Sequence, residues 1–126
     1  MTITKTTPFR FFEWSVYRDA KEFFNLSFGI VKKLPKEYRF EIGSQIIRSS
    51  LSVSLNIAEG AGKNSDKDFN HFLNIASGSL FETVAAFDIL KDNNLISEKE
   101  FTDTLNLGGV ISNQLGGFKK RLLRNS

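Results

Sequence analysis

Five polar residues recur at helical spacing near the middle of the chain: Gln45, Arg48, Ser52, Asn56 and Glu59, separated by 3, 4, 4 and 3 positions. Two amides, a guanidinium, a hydroxyl and a carboxylate on one strip supply both hydrogen-bond donors and acceptors. Such a strip can serve as an internal network or subunit contact, or as a ligand site. Arg48 and Glu59 stand about 16 Å apart along a helix axis, too far to pair. Each therefore needs a partner elsewhere, either Glu82 or a neighbouring subunit. Buried polar groups are paired in folded proteins. A structural network or subunit interface is accordingly the preferred reading of Gln45, Arg48, Ser52, Asn56, Glu59 and Glu82.

A second set is defined by positive charge: Arg10, Arg18, Lys63, Lys67, Lys119, Lys120, Arg121 and Arg124. Gathered on one surface, these side chains would neutralise phosphates; the plainer alternative is a solvated tail that complements a helix dipole. Phe9, Phe11, Phe12 and Trp14 lie beside Arg10 and Arg18. They would either stack on bases or cap a bundle and fill a subunit interface.

Catalytic and metal chemistry find little here. The chain has no cysteine and a single histidine, His71, so neither a zinc site nor a base–nucleophile pair can be assembled by type. Glu59-Gly-Ala-Gly62 lacks the Lys-Ser/Thr of a phosphate loop, and no Glu-x-x-His pair suggests a di-metal bundle. No catalytic residue, metal or cofactor is expected, and the protein is read as a non-enzyme.

The elements that must position these residues follow from punctuation. A first helix runs over about 12–33, with Trp14, Tyr17, Phe24, Phe28 and Val31 on its core stripe. Leu34-Pro35-Lys36-Glu37 ends it and starts a second helix over about 35–59, with Gly60 and Gly62 as candidate caps. On that helix Ile42, Ile46, Val53 and Ile57 fall on one side, and Ile47, Leu51, Leu55 and Ala58 on another. Gly43, Ser50 and Ser54 lie between. Two apolar stripes predict a helix buried almost all round, with one face left for a partner subunit.

Ser65-Asp66-Lys67-Asp68 resembles a capping box and opens a third helix to about 91, with Phe69, Leu73, Ala76, Leu80 and Phe87 as its core. Asp92-Asn93-Asn94 breaks it. Ser97-Glu98-Lys99-Glu100 is a full capping box and opens a fourth helix to about 123 along Phe101, Leu105, Leu115, Phe118 and Leu122. Gly108-Gly109 and Gly116-Gly117 imply either close packing or local looseness there.

No period-2 alternation is sustained. The fold class is therefore all-α, an antiparallel up-down-up-down four-helix bundle. One domain spans 1–126, of which 1–10 is read as a loosely ordered N-terminal segment.

Thirteen phenylalanines are a heavy load for a small monomer and favour an oligomer. No apolar run suits a signal peptide or a membrane span, and a cysteine-free chain fits a reducing compartment. No membrane role is expected, and the location is read as cytoplasmic. The net charge of +3 is unevenly spread. In an up-down bundle the end holding both termini collects ten cations against five carboxylates, and the opposite end six against seven.

The pieces Trp14-Ser-Val-Tyr-Arg-Asp-Ala20, Leu34-Pro35-x-Glu37 and Gln45-x-x-Arg48-x-x-x-Ser52-x-x-x-Asn56-Ile-Ala-Glu-Gly60 carry a resemblance, continued by Ser65-x-Lys67-x-Phe69. Phe72-Leu-x-Ile-Ala76-x-Gly78-Ser79-Leu-x-Glu82 completes it. Over about 12–123 the chain resembles the bacterial four-helix-bundle family named for proteins encoded in intervening sequences of 23S ribosomal RNA genes. It departs at Ser49-Ser50, where alanine is commoner, and at the paired glycines.

The resemblance implies a ring, with a homopentamer favoured, and no enzymatic activity. That family is similar to the accessory variability protein of diversity-generating retroelements, a basic pentamer that binds RNA and a reverse transcriptase. The expected function is therefore an oligomeric bundle binding RNA or DNA through the basic rim as an assembly factor. The alternative is a protein–protein scaffold ring, docking a partner such as a reverse transcriptase, with no nucleic-acid role.

Overall fold

The computed structural model describes residues 8–125, with side chains to Leu123. A 3-10 turn over Arg10–Glu13 precedes α1 (Ser15–Lys32), α2 (Lys36–Arg39), α3 (Glu41–Ala61), α4 (Asp66–Asp92) and α5 (Glu98–Asn125). Local signals set several limits. Ser65 Oγ accepts the Asp68 N–H at 3.1 Å and starts α4. At α5 the capping box is complete: Ser97 Oγ accepts the Glu100 N–H at 3.0 Å, and the Glu100 carboxylate accepts the Ser97 N–H at 2.9 Å. Asn94 ends α4 in the left-handed region, φ 59°. Its N–H donates to Lys91 O at 3.0 Å and the Leu95 N–H to Leu90 O at 2.9 Å, a Schellman pair.

Three limits differ from expectation. Trp14 is extended, ψ 133°, so a 3-10 turn and not helix occupies 10–13. Its ring is drawn into a cluster with Phe69 and Phe118. The second helix divides into α2 and α3 at Phe40, whose φ −69° and ψ −51° keep the backbone helical across the division. Gly62 caps α3 with φ −86° and needs no left-handed backbone, whereas Gly60 lies inside the helix. A Cβ at Gly60 would sit 2.9 Å from Phe69 Cδ1 and 3.1 Å from Phe72 Cβ, so close approach of α4 requires glycine there. Residues 1–7 of the N-terminal segment lie outside the described residues.

The four long helices run antiparallel to their neighbours. Ser15 meets Gln114 near one end of α1, and Lys33, just past its other end, meets Glu100. Gln45 pairs with Glu82 and Ser52 with Ser79 across α3 and α4, while Phe69 meets Phe118 and Lys91 meets Phe101 across α4 and α5. α1 packs on α3 and α5, and α4 packs on the same two, closing a square. Among the described helices α4 is long and apolar enough to cross a bilayer. Its buried stripe, Leu73, Ala76, Leu80, Thr83, Phe87 and Leu90, is part of the bundle core.

The core has two halves. Val16, Ala20, Phe23, Val53, Ile57, Leu73, Ala76, Leu80, Ile111 and Leu115 form the one nearer the chain termini. Ile30, Val31, Leu34, Ile46, Phe87, Leu90 and Ile96 form the other. Buried Ser27, Ser49, Ser50, Thr83 and Thr104 lie between them, one or two hydroxyls from each helix. Each is satisfied by a backbone carbonyl of its own helix, and Ser49 Oγ also meets Thr83 Oγ1 at 2.7 Å. Each fully buried Phe, Leu or Ile in either half contributes about 1.5–3 kcal/mol of burial.

Two expected stripes are corrected. Val31 is buried and Trp14 and Tyr17 pack against the core as expected. The buried set of α1, however, is Val16, Ala20, Phe23, Ser27, Ile30 and Val31, while Phe24 stacks on an exposed Phe28 at 5.7 Å. Leu105 of α5 is also exposed, its place inside being taken by Thr104, Gly108 and Ile111. A Cβ at Gly108 would lie 3.2 Å from Val84, whereas Gly109, Gly116 and Gly117 face open space. Close packing thus explains one of the four paired glycines. α3 is not buried all round: Leu51 is 38% and Leu55 55% exposed within the single chain.

Candidate nucleic-acid interface

The terminal end is assembled by aromatic packing. Trp14 stacks on Phe69 at 5.8 Å and meets Phe118 at 5.2 Å, and Phe69 meets Phe118 at 5.8 Å. This cluster ties the start of α1, the start of α4 and the end of α5 together. The expected cations therefore converge. Arg10 is in the 3-10 turn, Arg18 in the first turn of α1, Lys63 between α3 and α4, and Lys67 at the start of α4. Lys119, Lys120 and Arg121 lie in the last turns of α5. The Arg124 side chain lies outside the described residues.

None of these seven described cations forms an ion pair with a described residue; the pairs involve Lys33, Lys91 and Lys99 instead. Two rest on aromatic faces. Lys63 Nζ is 5.0 Å from the Phe72 ring and Arg121 Cζ 4.6 Å from the Phe118 ring. These contacts orient the cations without neutralising them. Lys119, Lys120 and Arg121 also stand at a helix C-terminus, where the dipole favours positive charge.

The opposite end is different. Lys33 pairs with Glu100 at 2.7 Å, Lys99 with Asp103 at 2.8 Å, and Lys91 with Asp88 and Asp92 at 3.4 and 3.9 Å. The hydrogen bond and charge of Asp103 hold the Lys99 ammonium above its ordinary value. Burial pushes the Glu100 carboxyl up, but the hydrogen bonds from Lys33 and the Ser97 N–H outweigh it and leave it below the usual carboxylate range.

The polar strip on α3 divides. Gln45 Nε2 donates to Glu82 Oε2 at 2.6 Å, and Ser52 Oγ meets Ser79 Oγ at 2.8 Å. Asn56 Nδ2 donates to Ser52 O at 2.8 Å and Ser52 Oγ at 2.9 Å. Three of the five strip residues are thus hydrogen-bonded in two separate sets, Gln45 with Glu82 and Asn56 with Ser52 and Ser79. Glu82 is occupied by Gln45 and pairs with neither Arg48 nor Glu59, which are exposed. Neither makes an ion pair among the described residues. The Ser49–Thr83 pair is invisible to a strip drawn on one helix, since it depends on which face of α4 meets α3.

A groove of about 600 Å³ opens beside the strip, lined by Pro8, Phe9, Phe11, Leu55, Asn56, Ala58, Glu59 and Gly62. Phe11 is fixed by Phe12 and Tyr17 at 4.8 Å each, while Phe9 is 55% exposed. Nothing in the spacing of the sequence joins Phe9 to Glu59; packing of the 3-10 turn on α3 does.

With this geometry in place, residues 13–117 match the family model of the 23S rRNA-intervening sequence proteins. Arg18, Lys63, Lys67 and the whole α3 strip fall inside the match; Arg10, Lys119, Lys120, Arg121 and Arg124 fall outside it. Among solved structures, the chain is similar to a protein of unknown function from the S23 ribosomal protein family of Bacteroides thetaiotaomicron. The two are 27% identical with a TM-score of 0.78, over 83% of this chain and 98% of that one. A comparison with curated proteins gives no significant match. Because the family match reaches from the turn before α1 deep into α5 and the neighbour shares the same helical packing, the chain belongs to the 23S rRNA-intervening sequence protein family.

Proposed function

We propose that this protein is a non-enzymatic, oligomeric helical bundle that binds RNA or another nucleic acid through its terminal-end rim, acting as a cytoplasmic accessory or assembly factor. The supporting observation is the convergence of Arg10, Arg18, Lys63, Lys67, Lys119, Lys120 and Arg121 from separate segments with no ion pair among the described residues. Binding is by phosphate neutralisation, so affinity falls steeply with salt. Exposed Leu51, Phe81 and Ile89 favour a homo-oligomer, and a homopentameric ring would repeat the rim around one axis.

Fluorescence anisotropy with labelled structured RNA and duplex DNA across a salt series tests this. Micromolar or tighter binding with a strong salt slope is expected; no binding at low salt overturns it. A second reading has its own observation. A groove of about 430 Å³ between α4 and α5, with Leu80, Phe81, Val84, Phe101 and Leu105 in its walls, is apolar and open. It supports a protein-docking scaffold ring, with a partner such as a reverse transcriptase, if nucleic acid does not bind.

A further inference from the structure

We infer that the groove between the 3-10 turn and the end of α3 is a pocket for an unpaired guanine, so that the rim's ligand is single-stranded RNA read at one base. The inference rests on the nucleic-acid reading above and sharpens it. The walls are apolar and partly aromatic: Phe9, Phe11, Leu55 and Ala58. Phe9 and Leu55 are each 55% exposed, and Phe9 sits edge-on to Phe11 with ring centroids 6.4 Å apart. An exposed ring over a slot of about 600 Å³ offers a stacking platform for a splayed-out base.

The polar lining is made of acceptors. Glu59 carries a carboxylate in no ion pair among the described residues. The Asn56 Nδ2 is already engaged with Ser52, which leaves Oδ1 as that side chain's available group. A carboxylate only accepts, and it accepts best from two adjacent donors. Guanine alone among the four bases presents two on its pairing edge, N1–H and N2–H. Adenine and cytosine set a ring acceptor beside their amino group, and uracil flanks its N–H with two carbonyls; each would repel the second oxygen. A carboxylate repels phosphate, so the part of a nucleic acid that Glu59 can contact is a hydrogen-bond donor on a base or sugar. Arg10 adjoins Phe9 and Phe11 in the chain, and Lys63 adjoins Gly62 with its Nζ resting on the Phe72 ring of α4, so the segments that line the groove each carry a cation.

The test uses the full chain and labelled ten-nucleotide uridine-rich RNAs that differ at one central position. The guanine RNA should bind about tenfold more tightly than the adenine RNA. Inosine, which keeps N1–H and lacks N2–H, should fall between them. Glu59 is exposed, so Glu59→Gln leaves folding intact; it should abolish the guanine preference, bringing the guanine and adenine RNAs to one affinity. Phe9→Ala should weaken every single-stranded RNA and leave duplex binding unchanged. Equal binding of guanine and adenine RNAs with a steep salt slope overturns the pocket and leaves the rim standing. A preference that survives Glu59→Gln also overturns it. Failure of all RNAs to bind at low salt overturns the rim reading and the pocket with it.

Discussion

The two ends of the bundle arrange their charge in opposite ways. At the end carrying the α4–α5 connection, Lys33, Lys91 and Lys99 are held against Glu100, Asp88, Asp92 and Asp103 at 2.7 to 3.9 Å. At the terminal end Glu13, Asp66 and Asp68 lie in the same segments as Arg10 and Lys67. Yet no rim cation forms an ion pair among the described residues. A lysine against a carboxylate presents a dipole whose field dies away quickly. An unpaired one presents a full charge to about a Debye length of 8 Å at physiological salt. Charge composition therefore says less about partners than pairing does. Aromatic packing orients two rim cations and leaves their charge uncancelled.

Trp14→Ala should do the most damage to this contrast. Its ring ties three segments together, and its loss should cost about 3 kcal/mol in urea unfolding. RNA affinity should fall with it, because the rim then loses its alignment. Phe101→Ala, at the paired end, should lower stability while the remaining folded protein binds RNA as before. Equal loss of RNA binding in both variants would remove the distinction between the ends.

Next in size, reversing Lys119, Lys120 and Arg121 to Glu should weaken low-salt RNA binding about 100-fold and lower the salt slope by about three. Reversing Lys33, Lys91 and Lys99 changes the net charge equally. It should act mainly on stability, and similar affinity losses in the two triple variants would mean that net charge alone decides.

Two glycines of the terminal half sharpen where it is tight. Gly60→Ala forces a Cβ to within 2.9 Å of Phe69 and should cost about 1–3 kcal/mol. Gly117→Ala meets nothing within 4 Å and should raise stability by about 0.5–1 kcal/mol. Thermal melts of the pair read both signs.

The smallest effect concerns acid. The folded state holds the Glu100 carboxyl below its unfolded value, so the stabilisation it brings is complete above the usual carboxylate range. It is lost as pH falls through the lowered folded value. Lys33 is 69% exposed, so the contribution is about 0.5 kcal/mol after solvent screening. Glu100→Gln should flatten that acid limb in denaturant titrations, and an unchanged limb would show that the pair carries no stability.

The two limits of α4 and the start of α5 were the most legible part of this molecule. Ser65, Ser97 and Asn94 act through bonds to backbone groups within a few residues, and those bonds follow from local order alone. The four long helices followed from this punctuation, and the placing of Arg10, Arg18, Lys63, Lys67 and the α5 tail at one end followed from up-down connection. The choice of face did not. On α1, Phe24 and Phe28 repeat at a helical interval as well as Val16, Phe23 and Ile30 do. Aromatic residues make both ridges apolar, so periodicity cannot rank them.

The sequence by itself thus determined an all-helical chain, its punctuation, the family motifs and the end on which positive charge collects. Tertiary structure decided which ridge of α1 is buried, that Glu82 takes Gln45 and leaves Arg48 and Glu59 outside, and that Phe9 faces Glu59 across a groove. The reason is physical: capping and periodicity are set by neighbours a few residues away. Face selection and pairing are set by side chains tens of residues distant, whose approach depends on how four helices fill one core.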